Sequence, residues 1–176
     1  MFKPTDEWMD KFVRESNKID PQPGHKNEPG DAHYDDHLGT LQMVIREANA
    51  GFASHYVDVH RALMSGLKGM EKEAGNLRTC DVRVGPRMCP SHWDIRDLIS
   101  EWDEATRSKI CEKRARSTAQ AEALVWRIHV DYEHIHPFVD GNGRSGRLLM
   151  VNHAIILGIQ PWIVEYDKRH RYYARF

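Results

Sequence analysis

The sequence predicts an all-α fold, a single helical domain that carries one β-hairpin. Two observations predict it. Apolar residues recur at helical spacing through most of the chain, the pattern of helices with one buried face. Only residues 77–90 break that pattern, where Thr79, Val82 and Val84 precede a Gly85-Pro86 turn signal and read as two short strands.

The elements follow in order. Asp6 to Ile19 opens after Pro4-Thr5 with Asp6 and Glu7 in its first turn, where acids suit the positive end of a helix. Trp8, Phe12 and Ser16 share one face of it. Residues 20–30 are polar and rich in proline and glycine, and form a connector. Asp31 to Asn49 places Tyr34, Leu38, Leu41, Ile45 and Ala48 at helical spacing and stops near Gly51. Ser54 is expected to cap a third helix, with Val59, Leu63 and Leu67 on one face, that ends in the Gly66–Gly75 region. After the hairpin, Ser91 with Asp94 resembles a capping box, and Trp93, Ile95, Leu98, Ile99 and Trp102 continue a helix to about Thr106. Ser117 with Gln120 opens the next, in which Leu124, Ile128 and Tyr132 lead to Ile135. A last helix is expected from Arg144 to Gly158.

A chain of 176 residues is one domain by length, divided here into a helix with its connector (1–30) and a core (31–176). A net charge of −1 supplies no basic field, so nucleic acid is not an expected partner. No stretch approaches the ~20 apolar residues of a membrane span. The opening Met-Phe-Lys-Pro-Thr-Asp-Glu-Trp is too polar for a secretory signal. Cys80, Cys89 and Cys111 form an odd set without a Cys-x-x-Cys pair, so reduced thiols in a cytoplasmic setting are expected.

The chemistry concentrates in His136-Pro-Phe-Val-Asp-Gly-Asn-Gly-Arg-Ser-Gly-Arg147. Gly141 and Gly143 let the backbone curl so that several N–H groups face one anion, and the positive end of the following helix faces it too. Asp140 is placed to hold a divalent cation and His136 to take a proton. Arginines at a helix start oppose its dipole, so Arg144 and Arg147 make sense there if an anion compensates.

This run resembles the signature of the Fic family, His-x-Phe-x-(Asp/Glu)-Gly-Asn-Gly-Arg-x-x-Arg, at every fixed position, and the likeness extends upstream through Tyr132, Glu133 and Ile135. Most members of that family transfer AMP from ATP to a hydroxyl of a target protein. The resemblance therefore implies a protein adenylyltransferase with Mg²⁺ as cofactor and, as partners, ATP and a protein bearing a Ser, Thr or Tyr hydroxyl. On that reading His136 is the general base and Asp140 binds Mg²⁺. Gly141, Asn142, Gly143, Arg144 and Arg147 handle the phosphates, with Asn142 adding its side-chain amide. Phe138 anchors the loop in the core and Pro137 stiffens it.

Two further segments resemble the family. Thr79, Asp81, Val82, Arg83, Val84 and Gly85 match its flap, an edge on which a target segment aligns by strand addition. Ser16-Asn17-Lys18-Ile19-Asp20 resembles the inhibitory motif (Ser/Thr)-x-x-x-Glu-(Gly/Asn), in the subgroup whose inhibitory helix precedes the core. There the acid pairs with the second arginine, here Arg147. Asp20 is one methylene shorter than glutamate and Pro21 disfavours helical geometry at Asp20, so inhibition by Ser16 and Asp20 is expected to be weak or altered.

Other readings of the same residues fit less well. Gly141-x-Gly143-x-x-Gly146 satisfies the dinucleotide fingerprint, but a charged helical segment precedes it in place of a buried strand. His129, His134 and His136 cluster in sequence, yet lack the spacing of a zinc site. The same loop also admits transfer of UMP, phosphocholine or phosphate, removal of AMP, or nucleotide sensing without catalysis.

Overall fold

A computed structural model describes residues 1–112 and 117–176. In order these form α1 (Asp6–Ile19), α2 (Ala32–Asn49), α3 (Tyr56–Met64), β1 (Arg83–Val84), β2 (Arg87–Met88), α4 (Ile95–Cys111), α5 (Thr118–Ile135), α6 (Asn142–Ile156), a 3₁₀ turn (Tyr166–Lys168) and α7 (Arg169–Tyr173). The fold is helical with one antiparallel hairpin, in which Arg83 pairs with Met88 and Val84 with Arg87.

Helix α6 is the centre of the molecule. From Arg144 to Ala154 every residue of it is buried, so the rest of the fold surrounds it on all sides. Helices α2, α3 and α5 pack around it, with α1 and α4 touching it more briefly. Leu41, Val44, Leu63, Tyr132, Phe138 and Leu148 make the continuous core between them.

Local signals explain most helix starts. Thr5 caps α1 by accepting from the Trp8 N–H, Asp31 caps α2 through His33, and Ser117 with Gln120 forms a full capping box on α5. Two expected caps do not form. The Ser54 hydroxyl donates to Glu47 and its N–H to the Asn152 side chain, so it ties α2 to α6 and leaves His55 as the N-cap of α3. Ser91 only closes a turn with Asp94, which precedes α4 without a side-chain cap; Trp93 lies in that turn, 82% exposed. Helix α4 runs to Cys111, beyond the expected Thr106, because Ile110 continues its buried face. The final helix starts at Asn142, two residues earlier than expected, and the 3₁₀ turn and α7 were not foreseen. All three cysteines are free thiols. Among the described residues no helix is long and apolar enough to cross a membrane.

Candidate active site

The loop between α5 and α6 is set by four contacts. The Asn142 side chain, 1% exposed, bonds both the N–H and the carbonyl of Phe138 at 2.9 Å, closing the turn on itself. One N–H of its amide and its carbonyl oxygen are thereby occupied in the scaffold. Phe138 is fully buried and stacks on His60 at 3.6 Å and 5°. His60 Nε2 donates to the Asp140 carbonyl and its Nδ1 accepts from Gly75, so the ring is a neutral, fixed spacer; burial pushes its pKa down to about 4. Gly141 sits at φ 76°, and a Cβ there would meet Met64 Sδ at 2.8 Å.

His136 ends α5 in the left-handed region (φ 52°), a strained conformation for a residue with a Cβ. Arg78 holds it. That guanidinium, 2% exposed, donates to the carbonyls of His136 (2.8 Å), Cys80 (2.8 Å) and Pro90 (2.5 Å), while the Arg78 N–H donates to Pro137. One buried cation thus ties both stems of the hairpin to the histidine. Burial lowers the His136 pKa to about 4, so the ring is unprotonated at neutral pH and able to accept a proton, though a weaker base than free imidazole.

His136, Gly143 and Arg147 face one cavity of about 570 Å³. The hairpin tip from Val84 to Arg87 closes one wall, Asp20 and Glu133 stand on another, and Tyr172, Tyr173 and Phe176 line a third. A larger cleft of about 690 Å³ near the N-terminus carries no histidine or acid among its lining residues, so size alone does not select a reaction site.

Arg147, 2% exposed, has four of its five N–H donors taken up within the chain. Nε donates to the Ser16 hydroxyl (2.8 Å), Nη2 to the Ser16 carbonyl (3.0 Å) and Asp20 (2.8 Å), and Nη1 to the Tyr172 hydroxyl (3.2 Å). Asp20 lies just outside α1 (φ −123°), as Pro21 requires, and its carboxylate occupies the space a side chain at Gly143 would fill. A carboxylate therefore stands at the positive end of α6. Its shorter side chain is no obstacle to reaching Arg147.

Asp140 is half-exposed; burial would raise its pKa, but Arg144, Gln22 and the Gly141 N–H hold it below the ordinary value. Gln22 donates directly to its carboxylate. Arg144 is buried beneath the loop with one contact to Asp140 at 3.3 Å and does not line the cavity. On the hairpin, Thr79, Asp81, Arg83, Val84 and Gly85 are exposed, Val82 pairs with Cys89, and Asp81 accepts from His92. His129 bonds Tyr172 in the interior while His134 is exposed, so the clustered histidines point to different places.

Arg78, His60, Glu133, Gln22 and Tyr172 were not given roles from sequence. Glu133 carried one readable signal, its place in the family likeness, and Tyr172 another, the aromatic run Tyr172-Tyr173-Ala-Arg-Phe176.

The loop, its buried arginines and the histidine at its mouth coincide with a family pattern. The Fic/DOC family model matches residues 53–154. The chain belongs to the Fic/DOC family. It is similar to the protein adenylyltransferase Fic of Culex quinquefasciatus, 33% identical over 66% of this chain and 22% of that protein. The Nematostella vectensis protein adenylyltransferase Fic is 30% identical over 74% of this chain and 29% of its own length. The chain thus spans under a third of those relatives. In fold it resembles a Fic domain containing signaling protein from Bacteroides thetaiotaomicron (TM-score 0.78, 16% identity, 96% of this chain and 70% of that one). It also resembles C. elegans Fic-1 (TM-score 0.69, 20% identity, 97% and 55%).

Proposed function

We propose that this Fic/DOC chain is a protein adenylyltransferase whose N-terminal segment restrains it. The observation that carries this reading is the sharing of one cavity by His136, Gly143 and Arg147. A base stands beside an anion-binding helix end and an arginine, the set needed to move a phosphoryl-linked group.

In the reaction, His136 takes the proton of a target hydroxyl as its oxygen bonds the α-phosphorus of ATP. The bond from that phosphorus to the bridging oxygen breaks, and pyrophosphate leaves with the electron pair. The first N–H groups of α6 receive the negative charge, and Arg147 orients the triphosphate once Asp20 has withdrawn. Asp140 suits a magnesium ion, being an ionised, half-exposed carboxylate beside the cradle; when bound, the ion neutralises phosphate charge. The exposed β1 edge offers a target segment main-chain pairing. Asp20 inhibits by filling the anion position with its own carboxylate, and the Gln22 amide donates to the Asp140 carboxylate, where the cation would sit.

Incubation with ATP, magnesium and cell lysate, followed by mass spectrometry, tests the reading. Adenylate should appear on protein hydroxyls and disappear with His136→Ala, while that variant still binds ATP. Undiminished modification by His136→Ala would refute base catalysis.

A further inference from the structure

Glu133 is the acid that neither the phosphate chemistry nor the inhibitory contacts use. It lies one turn before His136 at the end of α5, 7% exposed, with Oε2 3.8 Å from His136 Nδ1. Among the described residues, His136 Nδ1 and Glu133 Oε1 are both buried without a hydrogen-bond partner. Two unpaired polar atoms on neighbouring groups are costly to bury and ask for a partner. Closing the gap takes about 1 Å of side-chain movement, the kind of tightening catalytic hydrogen bonds undergo when substrate arrives.

The chain makes room for this carboxyl. A Cβ on Gly146 would meet Glu133 Oε1 and His129 Cε1 at 2.8 Å each. The third glycine of Gly-x-Gly-x-x-Gly, without meaning as a dinucleotide fingerprint here, thus has a packing reason. The groups facing Glu133 are His129 on its own helix, Arg147 on α6, Arg87 on the hairpin, Asp20 after α1 and Tyr172 on α7. Burial outweighs the two arginines and raises the Glu133 pKa to about 8, so near neutrality it is an uncharged acid whose carbonyl oxygen still accepts. The competing acceptor for Nδ1 is the Glu133 main-chain carbonyl, which already receives Arg87 Nη2 at 3.0 Å.

We infer that Glu133 is a positioning residue for His136: its carboxyl oxygen accepts the Nδ1–H of the imidazole, fixing the tautomer that leaves Nε2 bare for the incoming hydroxyl. The hydroxyl proton passes to Nε2 and the Nδ1 proton stays on the ring, oriented by the Glu133 oxygen. This role rests on the adenylyltransferase reading for its consequence, though not for its geometry.

The test compares Glu133→Leu with Glu133→Gln, which keeps an acceptor oxygen, both checked for an unchanged fold. Nitrogen-15 NMR of histidine-labelled protein, with His136→Ala for assignment, should show His136 as the Nδ1–H tautomer in wild type and in Glu133→Gln. In Glu133→Leu a mixture should appear. In transfer assays relative to wild type, kcat should fall roughly 10- to 100-fold in Glu133→Leu with KM for ATP changed less than about twofold, and Glu133→Gln should recover most of the loss. An unchanged His136 tautomer in Glu133→Leu overturns the inference, since the main-chain carbonyl would then suffice. So does a Glu133→Gln variant as impaired as Glu133→Leu. Because the NMR result needs no turnover, a protein that fails to transfer AMP would sink the proposed function and leave this inference standing on its own measurement.

Discussion

Asp20 and Arg147, 127 residues apart in sequence, meet at 2.8 Å where the N-terminal segment crosses the start of α6. The arginine is buried and the aspartate 37% exposed in its side chain, so burial works against the Arg147 charge while Asp20 and Tyr172 hold its pKa above the usual value.

Removing that acid should release the site and weaken the fold together. Asp20→Ala is expected to raise self-modification about tenfold and to cost roughly 1–2 kcal/mol, since a buried guanidinium loses its counter-charge at a partly solvated position. Gel assays with labelled ATP and thermal melts check both. Unchanged modification and unchanged ATP affinity would exclude inhibition by Asp20.

Arg78 should behave as a fastener. Arg78→Ala strips the donor from three carbonyls at once and frees the strained His136, at a cost on the order of 3 kcal/mol. Arg78→Lys keeps the charge but cannot reach three directions, and should recover less than half of the loss in denaturant titration.

Gly141→Ala combines positive φ with a Cβ driven toward Met64 Sδ. The expected loss is about 2 kcal/mol or more, with weakened ATP binding because the cradle opens at its first residue. Calorimetry of nucleotide binding separates this from a purely global effect.

Stability should depend on pH in both directions. Burial lowers the pKa of His33, His60 and His136 to about 4 and of His129 and His153 to about 3. In the unfolded chain these rings protonate near 6.5, so their contribution is full above that pH and is lost as pH falls toward 4. Glu133 acts in the opposite sense. Its folded pKa of about 8 exceeds the unfolded 4.5, so its contribution is present below 4.5 and lost as pH rises through 8. Thermal midpoints from pH 4 to 9 should therefore peak near neutrality, and a flat acid limb would contradict the burial of these histidines.

Much of this was legible in the sequence because the determinants are local. The loop keeps its chemistry within twelve contiguous residues, and the α5 capping box is a four-residue pattern that formed as read. What escaped depends on distant partners. Nothing around Ser54 indicates that Asn152 and Glu47 will claim it, and nothing around Arg78 announces burial against His136. The grip of the Asn142 amide on Phe138 escaped for the same reason, since it follows from the curl of the loop and not from residue type. Asp20 was legible as an acid near Arg147 by resemblance, while its reach required the backbone path that Pro21 imposes.

Asp20 and Gln22 occupy Arg147 and Asp140 from positions two residues apart on one short stretch. A peptide that short cannot lift at one end and stay seated at the other, so the two plugs leave as a unit. An anion arriving at the arginine and a cation arriving at the carboxylate would each evict the same obstacle, and each would ease the other's entry. Nucleotide affinity would then rise with metal and metal affinity with nucleotide by the same factor, a reciprocity built into a single chain.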